Sequence, residues 1–248
     1  MRGRVALVTG GGRGIGRETA LLLAAAGARV MTVSRSEAEL AAVGLDHVVA
    51  DLGTADGCAL AVSETERRLG PIDLLVCNHG IGSAHERLVW EQDPEVWRET
   101  LRINLDGPFE LARLTAGGMC ERGFGRLVFT SSTAGQVAER AGSAYTASKH
   151  GLIGLARAVA QDAGPFGVTS NAVLPGWVRT AMAERSAAAA ADRRGVTVEQ
   201  VWRERAALYP PNRVLEPREV AEVIAFLCGD AAAGVNGEAI TVALGGTW

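Results

Sequence analysis

Short apolar runs alternate with helical patterns along this whole chain, and this alternation limits the possible folds more than any other feature. The runs are rich in aliphatic residues, as expected of strands that are buried on both faces. They lie at residues 4–9, 29–34, 48–52, 72–77, 126–131, 168–174 and 237–243. Strands that alternate with helices pair in parallel, and the helices cover both faces of the sheet. The chain is therefore predicted to form a doubly wound, three-layer α/β/α sandwich.

The segments between these runs are predicted to be helical. After the first run a helical pattern continues through Ala26, and the later patterns lie at residues 55–69, 94–121, 142–163 and 217–228. Residues 181–212 differ, because they contain an alanine run, a basic pair and a Tyr-Pro-Pro sequence. We predict that they form a helical insertion, which covers the functional site as a lid. Without an internal repeat or a linker, residues 1–248 are predicted to be a single domain.

The composition excludes several classes of function. A net charge of −3 and a pI near 5.9 argue against nucleic acid as a partner. No apolar run reaches the roughly 18 residues of a membrane-spanning helix, and the N-terminus lacks the pattern of a signal peptide. The four cysteines lack the spacing of metal ligands, so no metal site is predicted. We therefore expect a cytoplasmic protein that acts on a small molecule.

Lys149 is the only lysine in the sequence, whereas the other 24 basic residues are arginines. It follows Tyr145, one of two tyrosines, by four residues, and such residues share one face of a helix. An ammonium beside a phenol favours the phenolate and lowers a pKa that is about 10 in the free side chain. Tyr145 is therefore a candidate acid or base near neutral pH. Because the pattern is common, the alternative is that Lys149 is an ordinary helix residue.

A glycine-rich loop follows the first predicted strand. It contains Gly10, Gly14 and Gly16, with Arg13 and Ile15 between them. Backbone N–H groups and the positive end of a helix dipole meet at such a turn, which makes it an anion site. We therefore predict that it binds a dinucleotide pyrophosphate, although a purely structural glycine turn would have the same composition.

The end of the second predicted strand, Ser34-Arg35, favours NADP(H) over NAD(H). A carboxylate at this place binds the 2′-hydroxyl of NAD, whereas an arginine accepts the 2′-phosphate of NADP. No carboxylate occurs here before Glu37, and Arg13 from the glycine loop can approach the same place.

Polar residues also follow the next predicted strands. Asp51, beside Leu52, is expected either to contact the adenine amino group or to cap the next helix. A turn with Asn78 and Gly80 follows the fourth strand, at the edge where open parallel sheets bind ligands. Asn104 lies within a helical pattern, where a buried amide needs a hydrogen-bond partner. That bond can be structural, and a structural bond does not exclude a catalytic role.

Taken in order, these motifs resemble those of the short-chain dehydrogenase/reductase family. The resemblance spans residues 4–246 and is carried by Thr9-Gly10-x-x-x-Gly14-Ile15-Gly16, Asn78-His79-Gly80, Asn104, Ser132, Tyr145-x-x-x-Lys149 and Pro175-Gly176-x-x-x-Thr180. It implies a Rossmann-type fold with a seven-stranded parallel sheet, and nicotinamide chemistry on a ketone or secondary alcohol. Family members are commonly tetramers, so a homotetramer, or failing that a homodimer, is implied.

The resemblance also implies a role for each site residue. Tyr145 would protonate the carbonyl oxygen, Lys149 would lower the pKa of Tyr145 and hold the nicotinamide ribose, and Ser132 would hydrogen-bond the substrate oxygen. Asn104 would hold a water that joins Lys149 to solvent. In place of a small residue, His79 would contact substrate or ribose, or would be a tolerated polar neighbour. The expected cofactor contacts are Gly10, Arg13, Gly14, Ile15, Gly16, Ser34, Arg35, Asp51, Leu52, Asn78, Gly80, Tyr145, Lys149, Pro175, Gly176, Val178 and Thr180.

The substrate is less constrained by the sequence. The pocket is predicted to be lined by residues 79–86 and 134–140, Trp177 and the lid, with no cationic cluster that would select an anionic substrate. The chain resembles 3-oxoacyl thioester reductases and polyketide ketoreductases, while its lid resembles that of 3-hydroxybutyrate dehydrogenases. We therefore predict an NADP(H)-dependent reductase of a 3-oxoacyl-type carbonyl. The alternatives are a dehydrogenase of secondary alcohols, sugars or 3-hydroxybutyrate, which could use NAD(H), and a non-catalytic NADP-binding regulator.

Overall fold

The computed structural model describes residues 1–83 and 87–246. In this part of the chain, seven parallel strands form one sheet in the order β3-β2-β1-β4-β5-β6-β7. The strands are β1 (Val5–Thr9), β2 (Arg29–Ser34), β3 (Asp46–Val49), β4 (Leu74–Cys77), β5 (Gly125–Thr130), β6 (Val168–Pro175) and β7 (Ala239–Val242). The prediction of a doubly wound α/β fold with a seven-stranded parallel sheet is confirmed.

Helices cover both faces of this sheet. They are α1 (Gly14–Ala25), α2 (Glu37–Ala41), α3 (Ala55–Leu69), α4 (Pro94–Leu101), α5 (Gly107–Glu121), α6 (Ser143–Ala163), α7 (Ala181–Arg194), α8 (Val198–Ala207) and α9 (Pro217–Cys228). None of the described helices is long and apolar enough to cross a membrane.

Alternation along β1 shows how the two faces are filled. Val5 and Leu7 belong to the core shared with α3, α5 and α6, whereas Ala6 and Val8 belong to the core shared with α1 and α9. All four side chains are almost completely buried. Full burial of one such aliphatic side chain contributes about 1.5–3 kcal/mol, so a strand that is apolar at every position is stable only between two helical layers.

The strand order reverses between β1 and β4, which are neighbours although β2 and β3 come between them in the chain. Loops at the carboxyl ends of these two strands diverge to opposite sides and leave a crevice between them. The glycine loop after Thr9 and the turn after Cys77 therefore meet at one place. This switch point positions the functional site.

Two differences between the predicted and the observed elements bear on the site. The third strand ends at Val49, not at residue 52, so Asp51 and Leu52 lie in the loop after it. The helix predicted at residues 94–121 is interrupted by a π turn at Arg102–Asp106. Pro108 has no N–H to donate to the carbonyl of the residue four positions before it, so a regular α-helix cannot continue through this turn.

Candidate active site

Lys149 and Tyr145 lie on the first two turns of α6, beside the end of β5. The Lys149 Nζ donates a hydrogen bond of 2.9 Å to the carbonyl of Thr130, the last residue of β5. The same Nζ lies 5.6 Å from the centre of the Tyr145 ring. The hydroxyl of Ser131 donates to the Lys149 carbonyl at 2.8 Å, which fixes α6 against the loop after β5. The i, i+4 spacing therefore places an ammonium beside a phenol, as the sequence indicates.

The Lys149 ammonium is buried, with only 5% of the residue exposed. Burial lowers its pKa from 10.5 to about 8, because a charge loses favourable hydration when it leaves water. At neutral pH the group is still mostly protonated, and its proton is held less tightly than in a surface lysine. It can therefore act as a positive charge beside Tyr145 and as a donor in a proton relay.

Ser132 lies in the loop after β5, on the same side as Lys149. It caps a short 3₁₀ turn, Thr133–Gly135, and its Oγ accepts a hydrogen bond of 3.1 Å from the Ala134 N–H. Accepting that bond orients the hydroxyl but does not use its hydrogen. Ser132 can therefore still donate a hydrogen bond to a substrate oxygen.

Asn104 lies in the π turn and holds three segments together. Its Oδ1 accepts a hydrogen bond of 2.8 Å from the Ile81 N–H, and its Nδ2 donates to the Ile81 carbonyl at 3.0 Å. Nδ2 also contacts the hydroxyl of Ser148 at 3.2 Å, and that hydroxyl donates to the Tyr145 carbonyl. The buried amide is thus satisfied structurally, and its partners connect the turn after β4 with the helix that carries Tyr145 and Lys149.

The glycine loop after β1 has the properties of an anion site. Gly10 and Gly14 have φ angles of +62° and +53°, which disfavour other residues. A Cβ on Gly16 would lie 2.2 Å from the Gly10 carbonyl oxygen and 2.5 Å from the Asn78 Nδ2. Arg13 occupies the N-cap of α1 without a side-chain capping bond, and the first turn of α1 has no acidic residue. Backbone N–H groups at this helix start can therefore bind a pyrophosphate, so the loop fits a dinucleotide.

Of the two arginines predicted to bind the 2′-phosphate, one from the glycine loop and one after β2, only the second lacks an acidic partner in the described residues. Arg13 forms an ion pair of 2.8 Å with Glu39 on α2. Glu37, the first carboxylate after β2, contacts His47 at 3.1 Å. Arg35 is exposed and makes no ion pair with the residues that the structure describes. The electrostatic case for a 2′-phosphate therefore depends mainly on Arg35, whereas Ser34 binds the backbone N–H of Ser36 at 3.2 Å.

One alternative for Asp51 is wrong: it does not cap the next helix. The N-cap of α3 is Thr54, whose hydroxyl accepts a hydrogen bond from the Gly57 N–H. Asp51 instead accepts a hydrogen bond of 3.0 Å from the Gly53 N–H, within the loop that follows β3. Leu52, next to it, is 4% exposed and belongs to the core. An adenine contact by Asp51 remains a prediction.

The loop after β6 reaches the glycine loop from the other half of the sheet. Pro175 ends β6, and the Gly176 N–H donates to β7. Val178 is buried, and Thr180 caps α7 through the Ala183 N–H. The methyl group of Thr180 would lie 3.3 Å from a Cβ on Gly14, so the loops after β1 and β6 are close neighbours. Predicted cofactor residues from distant parts of the sequence thus surround one crevice. Ile15, on the first turn of α1, is partly buried against the core.

His79 faces the protein interior at the turn after β4. Its Nδ1 lies 2.7 Å from the Thr9 hydroxyl oxygen. That oxygen accepts hydrogen bonds from the N–H groups of Asn78 and His79, and the hydroxyl donates to the Val76 carbonyl. Its Nε2 is buried and makes no hydrogen bond of good geometry in the described residues, while the Ile103 backbone nearby opposes part of the lowering of its pKa. Burial, and then the nearby Lys149 charge, lower the pKa of His79 to about 3. The imidazole is therefore neutral, and it connects β1 with this turn. Gly80 follows, close to Asn104 and Lys149.

A cavity of about 410 Å³ opens between α7, α8 and the segment that precedes α6. Glu139, Arg140 and Trp177 line it, as the sequence predicts, together with residues of α7 and α8. Part of the predicted lining, residues 84–86, lies outside the described residues. The prediction that the pocket has no cationic cluster is wrong, because Arg87, Arg193 and Arg205 also line this cavity. A signal was present in the sequence: Arg205 follows Val201 by four residues, on the apolar face of α8.

Comparison with known proteins agrees with this geometry. A family model described as enoyl-(acyl carrier protein) reductase matches residues 10–247. The chain is 36% identical to the acetoacetyl-CoA reductase of Rhizobium meliloti, and the match covers 96% of both chains.

Two solved structures are also similar. Levodione reductase has a TM-score of 0.94 at 32% identity, covering 99% of this chain and 98% of its own. A variant of actinorhodin polyketide ketoreductase with NADPH has a TM-score of 0.91 at 36% identity, covering 98% and 96%. The chain therefore belongs to the short-chain dehydrogenase/reductase family of oxidoreductases.

Proposed function

We propose that this enzyme interconverts a ketone and a secondary alcohol with NADP(H), and that its substrate is a 3-oxoacyl-type carbonyl. The observation that carries the proposal is the buried Lys149 ammonium beside the Tyr145 ring, on the first two turns of α6. The NADPH in the similar polyketide ketoreductase and the name of the acetoacetyl-CoA reductase support the cofactor and the substrate class.

In the proposed reduction, Tyr145 donates a proton to the carbonyl oxygen and Ser132 donates a hydrogen bond to the same atom. Two donors that are held in place before the reaction stabilise negative charge on that oxygen without reorganisation. Lys149 stabilises the phenolate that Tyr145 becomes and returns a proton to it. Bound NADPH supplies the hydride. Asn104 bonds to the turn of Ile81 and to Ser148, and it thereby holds the helix of Tyr145 and Lys149 in place.

The glycine loop with Asn78 would hold the pyrophosphate, and Arg35 with Ser34 would hold the 2′-phosphate of the adenosine. The loop of Gly176 and Thr180 would close the nicotinamide end. We further propose that α7 and α8 act as the substrate lid. Assembly as a homotetramer in the cytoplasm is also a proposal, and sedimentation of the purified protein tests the assembly.

NADPH oxidation against a panel of 3-oxoacyl thioesters, cyclic ketones and sugars tests the function. We expect turnover of the thioesters, and a loss of about a hundredfold to ten-thousandfold in kcat in Tyr145→Phe because its proton donor is absent. NADPH binding, followed by its fluorescence, should be unchanged in this variant. Turnover in Tyr145→Phe equal to that of the wild type would refute the mechanism, and turnover of sugars alone would support a sugar dehydrogenase instead.

A further inference from the structure

The cavity between α7, α8 and the segment that precedes α6 has an excess of positive charge. Among the described residues, its ionisable lining consists of four arginines and two glutamates, namely Arg87, Arg140, Arg193, Arg205, Glu91 and Glu139. A cavity whose lining carries mainly one sign of charge raises the local concentration of ligands with the opposite sign. This cavity therefore favours anionic ligands.

Arg205 is the most buried of these arginines and is held rigidly. It is 8% exposed, and its guanidinium carbon lies 3.6 Å from the centre of the Trp177 ring and 4.9 Å from that of Trp202. Its Nη1 donates to the Ala183 carbonyl at 3.0 Å, and its Nη2 donates to the Ser186 hydroxyl at 2.9 Å. Stacking and hydrogen bonds thus fix the plane of the guanidinium before any ligand binds.

This guanidinium has neutral hydrogen-bond partners and no direct counter-ion. Arg205 forms no ion pair with Glu139 or Glu184, since no carboxylate of the described residues lies within 4.0 Å of its nitrogens. Burial lowers the pKa of Arg205 to about 10, so it is charged at neutral pH but poorly hydrated. Glu139 and Glu184 act on this charge from a distance and offset part of the effect of burial. A buried charge without a direct ion pair is still costly, and a ligand anion would offset that cost.

The position of the cavity connects it with the reaction. Glu139 and Arg140 follow the Ser132 turn and precede α6, which carries Tyr145. Trp177 follows Gly176 of the loop after β6, and the backbone N–H of Trp177 donates to the Tyr209 hydroxyl at 2.6 Å. A molecule that fills the cavity therefore lies between the lid and the segments that carry the catalytic groups.

We propose that Arg205 binds a carboxylate carried by the ketone substrate, so that the enzyme reduces oxo acids in preference to neutral ketones. This inference rests on the proposed ketone reduction. A planar guanidinium fixed on two aromatic rings matches the two oxygens of a carboxylate. Its depth favours a small carboxylate over the phosphates of a thioester carrier, which the more exposed arginines at the rim would meet first.

The test compares kcat/KM for a series of oxo acids of increasing length (acetoacetate, levulinate and 5-oxohexanoate) with that for their methyl esters. We expect the wild type to prefer the acid at one or more lengths by about tenfold to hundredfold, the usual range for a hydrogen bond to a charged group. Arg205→Met should abolish this preference, and Arg205→Lys should restore part of it. Arg203→Met, on the exposed face of the same helix, is the matched control and should keep it.

A second variant avoids the risk that Arg205→Met disturbs the lid. Ser186→Asp leaves Arg205 stacked between the tryptophans and offers it a carboxylate of the protein, which should remove the preference for acids while ester reduction continues. Equal acid-to-ester ratios in Ser186→Asp and the wild type would overturn the proposal. A loss confined to acetoacetyl-CoA would assign the cluster to phosphates and would also overturn it.

A direct binding measurement separates this inference from the proposed function. Calorimetry with NADP⁺-loaded enzyme compares hexanoate with hexanamide, neither of which can be reduced as a ketone. Tighter binding of hexanoate that Ser186→Asp removes would support the carboxylate site even if no oxo acid or ester were turned over. Equal binding of the two probes would overturn the site, and ester reduction alone would then leave the proposed function intact.

Discussion

Removing the charge of Lys149 is expected to stabilise the fold at neutral pH while it abolishes catalysis. The group is 5% exposed, and burial lowers its pKa from 10.5 to about 8. Because each pKa unit corresponds to about 1.36 kcal/mol, this difference costs the folded state about 3 kcal/mol at neutral pH. Lys149→Met should recover part of that cost, reduced by the lost hydrogen bond to Thr130, which is worth about 1.5–3 kcal/mol.

The pH dependence isolates the charge from the hydrogen bond. Between the folded pKa of about 8 and the unfolded pKa of 10.5, the unfolded state binds more protons, so the free energy of unfolding of the wild type rises with pH. Below about pH 8 the full cost is present, and above about pH 10.5 it disappears. Relative to Lys149→Met, the wild type should gain about 2 kcal/mol of stability between about pH 7.5 and pH 10.

Urea unfolding of the protein without cofactor, at several pH values in this range, measures the effect. Both proteins should carry Tyr145→Phe, which removes the titration of the neighbouring phenol from the comparison. A difference in unfolding free energy that does not change with pH would mean that Lys149 is not destabilised by burial. It would refute the explanation of its low pKa and weaken the case for a proton relay.

Three further predictions concern the crevice. Arg35→Asp should shift the ratio of kcat/KM for NADPH and NADH towards NADH, because it replaces the predicted 2′-phosphate contact with a carboxylate; an unchanged ratio would refute that assignment. Gly16→Ala should abolish NADPH binding in a fluorescence titration while the protein stays folded, since its Cβ would lie 2.2 Å from the Gly10 carbonyl oxygen, and normal affinity would contradict the cradle. The wild-type imidazole is protonated in the folded state only near pH 3, so the wild type should lose stability as the pH falls below 6.5. In urea unfolding, His79→Asn should lose about 2 kcal/mol less than the wild type between pH 6.5 and about pH 5. An equal loss in the two proteins would contradict the low pKa of His79.

Much of the fold could be predicted from local patterns. β1 is apolar at each of its five positions, and that pattern is stable only in a parallel sheet covered on both faces. The glycine spacing and the Tyr145–Lys149 spacing follow from turn and helix geometry, which act within a few residues. The π turn was not predicted because it has two causes. The effect of Pro108 is local, whereas the hydrogen bond between Asn104 and Ile81 joins residues that are far apart in the sequence.

The partners of charged side chains could not be predicted in the same way. The phosphate contact of Arg13 remains a prediction, and its ion pair with Glu39, 26 residues away in the sequence, was not predicted. Asp51 was a candidate helix cap, yet Thr54 occupies the N-cap because the strand ends earlier than expected. Coulomb interactions depend on separation in space, and sequence spacing alone does not give that separation.

The sequence by itself determined the layered sheet, the glycine loop after its first strand and the shared helix face of Tyr145 and Lys149, because each arises from short-range periodicity or spacing. Only the tertiary structure decided the environment of these groups. It buries Lys149 and the Nε2 of His79, and it places Arg205 against two tryptophans at the wall of the cavity. Burial depends on how α6, α7 and α8 pack against the ends of the strands, and that packing also brings Arg193 and Arg205 to one cavity.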